Sequence, residues 1–172
     1  MKKMMLSLLF LFVAGTTLIS CKKDGLTYRS DLEKSFDTWL AFKKSSADSY
    51  SYTVRSASWT GYFTETVITV QAGEVTGRKY IAKIRKDNGA VETLGQWTED
   101  RTGLNSHSDG AATRTLNQIY DMARTQWLVR REDADTYFEA ANNGIISSCG
   151  YVPKNCQDDC FTGINITAVN AL

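Results

Sequence analysis

Apolar positions run almost unbroken from Met4 to Ile19, behind a basic start of Lys2 and Lys3. A basic start, a short apolar run and small residues before a cut describe a secretory signal, which takes no part in the fold. The run falls short of the about 20 apolar residues that span a bilayer. Gly15, Thr16 and Thr17 weaken it further as a permanent helix, so cleavage is expected over an uncleaved anchor. From Ser30 to Lys44 the period becomes helical, with Leu32, Phe36, Trp39, Leu40 and Lys43 on one face. Ser30 and Glu33 have capping-box spacing at its start, and Ser45 and Ser46 end it. Such a face is expected to cover one side of a sheet.

The period then switches to two. Tyr50 to Arg55, Thr64 to Val70 and Arg78 to Arg85 alternate as half-buried strands, with Tyr80, Ala82 and Ile84 on one side of the last. Thr60-Gly61, Ala72-Gly73 and Asp87-Asn88-Gly89 mark the turns between them, and Asn-Gly is a strong hairpin signal. Ala90 to Trp97 completes an antiparallel meander. Thr98 to Ala112 is rich in Gly, Ser, Asn and Asp and reads as a loop, long enough to be either mobile or functional.

A second helix is expected over Thr115 to Leu128. It has capping-box spacing at Thr115 and Gln118 and a buried stripe of Leu116, Ile119, Tyr120, Ala123 and Trp127. Arg124, Arg130 and Arg131 complement its C-terminal dipole. Asp135 to Ala141 reads as a strand, Asn142-Asn143-Gly144 as a turn and Ile145 to Cys149 as the returning strand. A loop with Pro153 and two cysteines follows, and Phe161 to Val169 closes the sheet. The expected fold class is α+β: a curved antiparallel sheet of about six or seven strands with two main helices packed on one face.

Leu18-Ile19-Ser20-Cys21 changes the reading of the N-terminus. It resembles the lipobox of bacterial lipoproteins, cut between Ser20 and Cys21, with Cys21 diacylated through its thiol. Several acyl chains on one residue anchor stably, because each buried methylene contributes about 0.8 kcal/mol. Residues 1–20 are then signal peptide, 21–29 lipidated cysteine and tether, and 30–172 a single domain. Without Lys2 and Lys3, 18 of the 20 Lys and Arg remain against 19 acidic residues, a formal balance of −1. That is no footprint for nucleic acid, which takes a clustered basic excess.

With Cys21 assigned to lipid, Cys149, Cys156 and Cys160 remain for one disulfide in an oxidising compartment. Cys149 leaves one expected strand and Cys160 begins the next, which favours a bridge between them across the hairpin neck. Cys156–Cys160, closing a small loop, is the alternative. Ser106-His107-Ser108-Asp109 holds a nucleophile, a base and an acid, but neighbours in an extended loop point apart and cannot build a triad. No catalytic residue and no cofactor is assigned. The single histidine gives no transition-metal pattern, and Asn155, Asp158 and Asp159 lack calcium-loop spacing, so no metal is assigned. Trp59, Tyr62 and Phe63 around the Thr60-Gly61 turn form a possible binding surface, since exposed aromatics mark contacts for sugars or proteins. Packing of Trp59 on Tyr62 across the hairpin is the plainer expectation.

The runs Tyr50-Ser51-Tyr52-Thr53-Val54 and Val67-Ile68-Thr69-Val70 with Gly73 and Val75, Ile119-Tyr120 in the second helix, and Asp158-Asp159 in the last hairpin together resemble a family of small bacterial lipoproteins of unknown function abundant in Bacteroidetes. Here Cys156 and Cys160 flank the acidic pair, and Thr60-Gly61 stands where many members carry a cysteine-containing segment. Lys22, Lys23 and Asp24 partly match the charged runs that signal surface display in such lipoproteins. More distantly, a helix on a sheet resembles β-lactamase-inhibitor and PepSY-type domains, which bind proteins. The resemblance implies an envelope lipoprotein with no known activity, and the expected location is a bacterial membrane, the outer membrane favoured, on the periplasmic face or the cell surface, anchored through Cys21. Its expected role is non-catalytic binding of an envelope protein or glycan. The competing expectation is an envelope hydrolase or metal-dependent enzyme working through residues 98–112.

Overall fold

The computed structural model describes residues 25–172, so the apolar leader, Ser20 and Cys21 lie outside the described residues. Helix α1 (Arg29–Ser45) is followed by four strands, β1 (Tyr50–Ala57), β2 (Tyr62–Gln71), β3 (Glu74–Arg85) and β4 (Val91–Asp100). Helix α2 (Leu116–Met122) runs into a π-turn over Ala123–Trp127, and β5 (Ala134–Glu139), β6 (Ser148–Pro153) and β7 (Thr162–Ala171) complete the chain. The seven strands form one sheet in the order β4-β3-β2-β1-β7-β6-β5. All pairings are antiparallel. The α+β class holds.

The register sorts the side chains. Tyr50, Tyr52 and Val54 of β1 lie opposite Val70, Ile68 and Thr66 of β2, and Thr66 lies opposite Tyr80 of β3. This face carries the core. Leu32 and Trp39 of α1 and Leu116, Ile119 and Tyr120 of α2 are packed with Tyr50, Tyr52, Ile68, Val70, Cys149, Ile164 and Ile166. Three tyrosine hydroxyls tie the layers together, as buried polar groups must find partners. Tyr52 donates to Arg114 O at 2.6 Å, and Tyr50 accepts from Leu116 N at 2.9 Å. Tyr120 donates to Ser35 O at 3.0 Å and accepts from Ile146 N at 3.3 Å.

Thr115 and Gln118 form both halves of the expected capping box. Arg131 caps the far end, donating to the Gln126, Trp127 and Val129 carbonyls. Arg124 lies 4.0 Å over the Phe36 ring. The Ser30–Glu33 capping box does not form. Tyr28 is the N-cap in a left-handed conformation, with no side-chain cap bond. Docking of Leu26 against Val129 starts the helix a residue early and puts Ser30 inside its first turn. The buried stripe of α1 is accordingly Leu32, Ser35 and Trp39, while Leu40 is 44% exposed. Residues 25–27, expected as tether, belong to the fold. Thr27 N donates to Leu128 O at 2.8 Å and Arg130 N to Gly25 O at 2.6 Å.

The returning strand is displaced by three residues. Ile145 and Ile146 are buried but lie in the turn after β5, closed by the Asn142–Ile145 bridge. The strand begins at Ser148 and ends at Pro153, paired with Ala134. A short apolar pair fits a buried turn as well as a strand.

Candidate functional site: the loop clasp and the Trp59 tip

Two constellations gather the polar and aromatic groups singled out by the sequence. The first organises residues 101–115. Arg78 on β3 and Glu99 on β4 are cross-strand partners on the core face, 4% and 3% exposed. Arg78 Nε and Nη2 reach the two Glu99 oxygens at 2.9 Å each, the two-point geometry that makes Arg–carboxylate pairs strong. The remaining guanidinium donors go to the carbonyls of His107 at 2.8 Å, Ala111 at 3.1 Å and Asp109 at 3.4 Å. Glu99 in turn accepts from the backbone N–H groups of His107 at 2.8 Å and Asn105 at 3.0 Å. The Arg78 guanidinium, helped by these donors, holds the Glu99 carboxyl well below the usual carboxylate range.

Aromatic stacking finishes the clasp. The His107 ring lies 4.4 Å from Trp97, nearly parallel, and Tyr80 stacks on Trp97 at 5.1 Å. Arg78 sits 4.6 Å over the same indole, a favourable cation–π distance. Trp97 Nε1 is buried without an acceptor. Gly110, at φ +86°, is closely packed: a Cβ there would meet Thr66 and Tyr80 at 3.1 Å and they would have to give by a few tenths of an ångström. The loop is thus a packed cover over β3 and β4. Thr98 to Asp100, expected within it, extend β4 instead; a buried glutamate at a strand end reads as loop until its arginine partner is known.

Ser106-His107-Ser108-Asp109 does not assemble a relay. Ser106 Oγ at 3.2 Å and Glu99 Oε1 at 3.0 Å both meet His107 Nδ1, whereas a triad base uses one ring nitrogen for the nucleophile and the other for the acid. Asp109 contributes its carbonyl to Arg78.

The second constellation lies at the β1–β2 hairpin tip. Trp59 is 77% exposed, yet its indole N–H donates to Asp158 Oδ2 at 2.9 Å. Ser58 Oγ donates to Asp159 Oδ2 at 2.9 Å. The acidic pair that lacked calcium-loop spacing is thereby engaged by the tip. Tyr62 is 38% exposed, its hydroxyl 3.3 Å from that of Tyr80. Phe63 points to the opposite face and is 8% exposed, under Arg55 at 4.6 Å and Lys83 at 5.7 Å. Trp59, Tyr62 and Phe63 therefore form no single surface: Phe63 is covered, and Trp59 is the exposed member. Beside the tip a cleft of about 200 Å³ is lined by Ser56, Ser58, Tyr62, Asp159, Phe161 and Asn165.

The acidic pair sits in a loop closed by a Cys156–Cys160 disulfide, with Cα atoms 6.2 Å apart. This corrects the favoured Cys149–Cys160 pairing. With β6 starting at Ser148, Cys149 lies mid-sheet opposite Ile164, fully buried and free. Burial pushes its thiol up to about 12. No local signal separates the cysteines, because Ile145 and Ile146 fit a buried turn as well as a strand. Among the described residues no three His, Cys, Asp or Glu side chains converge as metal ligands, and no helix there is long and apolar enough to cross a membrane. Comparison of the chain with family models, with curated proteins and with solved structures finds no match to any of them.

Proposed function

We propose that the chain is a lipid-anchored, non-catalytic interaction module of the bacterial cell envelope, held through Cys21 at the outer membrane and touching its partner through the tip around Trp59. The carrying observation is that tip. An indole left 77% exposed is held in orientation by a hydrogen bond to Asp158, itself in a disulfide-closed loop. A large apolar group fixed in place costs little entropy when it docks, which is what a contact residue requires. The groups an enzyme of the 98–112 loop would draw on, Glu99 and His107, are used in holding that loop, which also supports the binding reading.

The test joins anchor and tip. Expressed in a bacterial envelope, the chain should incorporate labelled fatty acid and sediment with membranes, and Cys21→Ala should lose both. Trp59→Ala should keep the label and lose cross-linking from the tip. Acylation of the Cys21→Ala variant refutes the anchor, and unchanged cross-linking in Trp59→Ala refutes the tip.

A further inference from the structure

The described chain begins already docked, and where it docks has a consequence for the tip. Gly25 O accepts from Arg130 N. Three residues on, Asp133 O accepts from Lys154 N at 2.8 Å, and Glu132 O accepts from Lys154 Nζ at 2.8 Å. Lys154 follows Pro153, the end of β6, which pairs with Ala134 at the start of β5. The chain therefore enters at the end of the sheet that carries the disulfide loop. Trp59 and Ser58 belong to that end through Asp158 and Asp159. The β3–β4 turn belongs to it too, since Arg85 N donates to Gly61 O at 2.9 Å.

Apolar exposure gathers at the same end. Trp59 at 77%, Tyr62 at 38%, and Val91 and Leu94 of β4 at 48% and 53% lie there. Away from the tip, the exposed large apolar groups are Leu40 on α1, the terminal Leu172, Tyr137 along the edge strand β5, and Tyr28, whose ring lies 6.3 Å from that of Phe138. The charges around the tip are mixed: Lys86, Lys154 and Arg130 are exposed beside Asp87, Asp158 and Asp159. Such a rim suits a surface carrying both signs rather than a strongly charged one.

The reach from the anchor is short. Cys21 precedes Gly25 by four residues, and an extended chain covers at most about 3.5 Å per residue, so at most roughly 14 Å can separate lipid attachment from fold. We propose that the partner of the Trp59 tip is the zwitterionic headgroup layer of the membrane that holds Cys21, with the indole lying in the interface. This rests on the lipid-anchor reading above. Trp suits that position because its ring is apolar and its N–H stays polar, and here the N–H is already held by Asp158.

The experiment uses the full lipidated chain and its Trp59→Phe variant in phosphatidylcholine vesicles. The other three tryptophans are common to both proteins, Trp39 fully buried, Trp127 5% exposed and Trp97 stacked with Tyr80 and His107, so the difference in emission between the two proteins reports Trp59. Phosphatidylcholine brominated near the glycerol end of its acyl chains should quench that difference signal. Iodide, which quenches it in detergent, should lose access in vesicles, and raising the salt should change neither result. If the protein floats with vesicles but the Trp59 signal is unquenched and open to iodide, the interfacial placement is overturned while the anchor reading stands. If Trp59 becomes protected only on adding envelope glycan or protein extract, the tip faces a macromolecular partner and the proposal fails. If the protein does not float, both readings fall together. Circular dichroism of Trp59→Phe confirms that the substitution leaves the fold in place.

Discussion

Arg78 and Glu99 face each other across β3 and β4 as a two-point ion pair, with both contacts at 2.9 Å, and the spare donors and acceptors of each reach the backbone of residues 105–111. One pair thus holds two strands and their cover. Glu99→Gln should release the cover: protease sites within 101–115 become accessible and the urea midpoint falls. The acid behaviour follows from the depressed carboxyl. Glu99 ionises in the fold well below its ordinary value of 4.5, so its contribution is complete above that value and drains away as the pH falls towards the folded-state value. The urea midpoint of the parent should drop between about pH 5 and about pH 3 by more than that of Glu99→Gln. Equal slopes would show that the pair does not set acid stability.

The cysteine assignment gives a count. In a Cys21→Ala background the native, unreduced protein should take up no iodoacetamide, because Cys149 is buried and Cys156 and Cys160 are bridged. Denaturation without reduction should expose one thiol, and reduction three. A cross-linked peptide joining Cys149 to Cys160 would refute the assignment.

Tyr52 ties β1 to the start of α2 through Arg114 O. Tyr52→Phe should cost about 1 kcal/mol, the usual net worth of a hydrogen bond, whereas Trp39→Ala at the core centre should cost about 3–5 kcal/mol. Burial pushes the Tyr50 hydroxyl from 10.0 up to about 12. The fold therefore favours the neutral phenol, and its contribution is intact below 10.0 and lost as the pH rises towards about 12. Urea titrations at neutral and alkaline pH read both effects.

Two glycines separate strain from collision. Gly89 and Gly110 share a positive φ, +83° and +86°, but a Cβ at Gly89 meets nothing while one at Gly110 meets Thr66, Tyr80 and Trp97. Gly89→Ala should cost about 1–2 kcal/mol, the left-handed penalty alone. Gly110→Ala should cost more and also loosen 101–115 to proteolysis. Equal midpoints for the two variants would contradict the packed cover.

The strands were legible because alternation at Tyr50, Tyr52, Ile68, Val70 and Tyr80 is a local pattern. So was the start of α2, where Thr115 and Gln118 settle the cap between themselves. What escaped depended on distant partners. Ser30 and Glu33 carry the same spacing as that cap, but Leu26 on Val129 decides where α1 begins. Nothing near Arg78 announces a glutamate 21 residues away, so a packed cover read as an open loop. Cys149 was misplaced because Ile145 and Ile146 lend the same apolar signal to a buried turn as to a strand. For Trp59 the plainer expectation is packing on Tyr62, but the ring is 77% exposed, oriented by Asp158, whose acidic pair with Asp159 has no local signal tying it to the tip.

The strand order also dictates when this domain can exist. β7, the last of the seven to be made, lies between β1 and β6. Until it emerges, β1 to β4 form a sheet with a raw edge at β1, and β5 with β6 is a detached hairpin. A growing chain therefore has no finished sheet until β7 is made. Removing β7 should split the sheet into β1–β4 and the β5–β6 hairpin, leaving the helical layer packed across both as their remaining link.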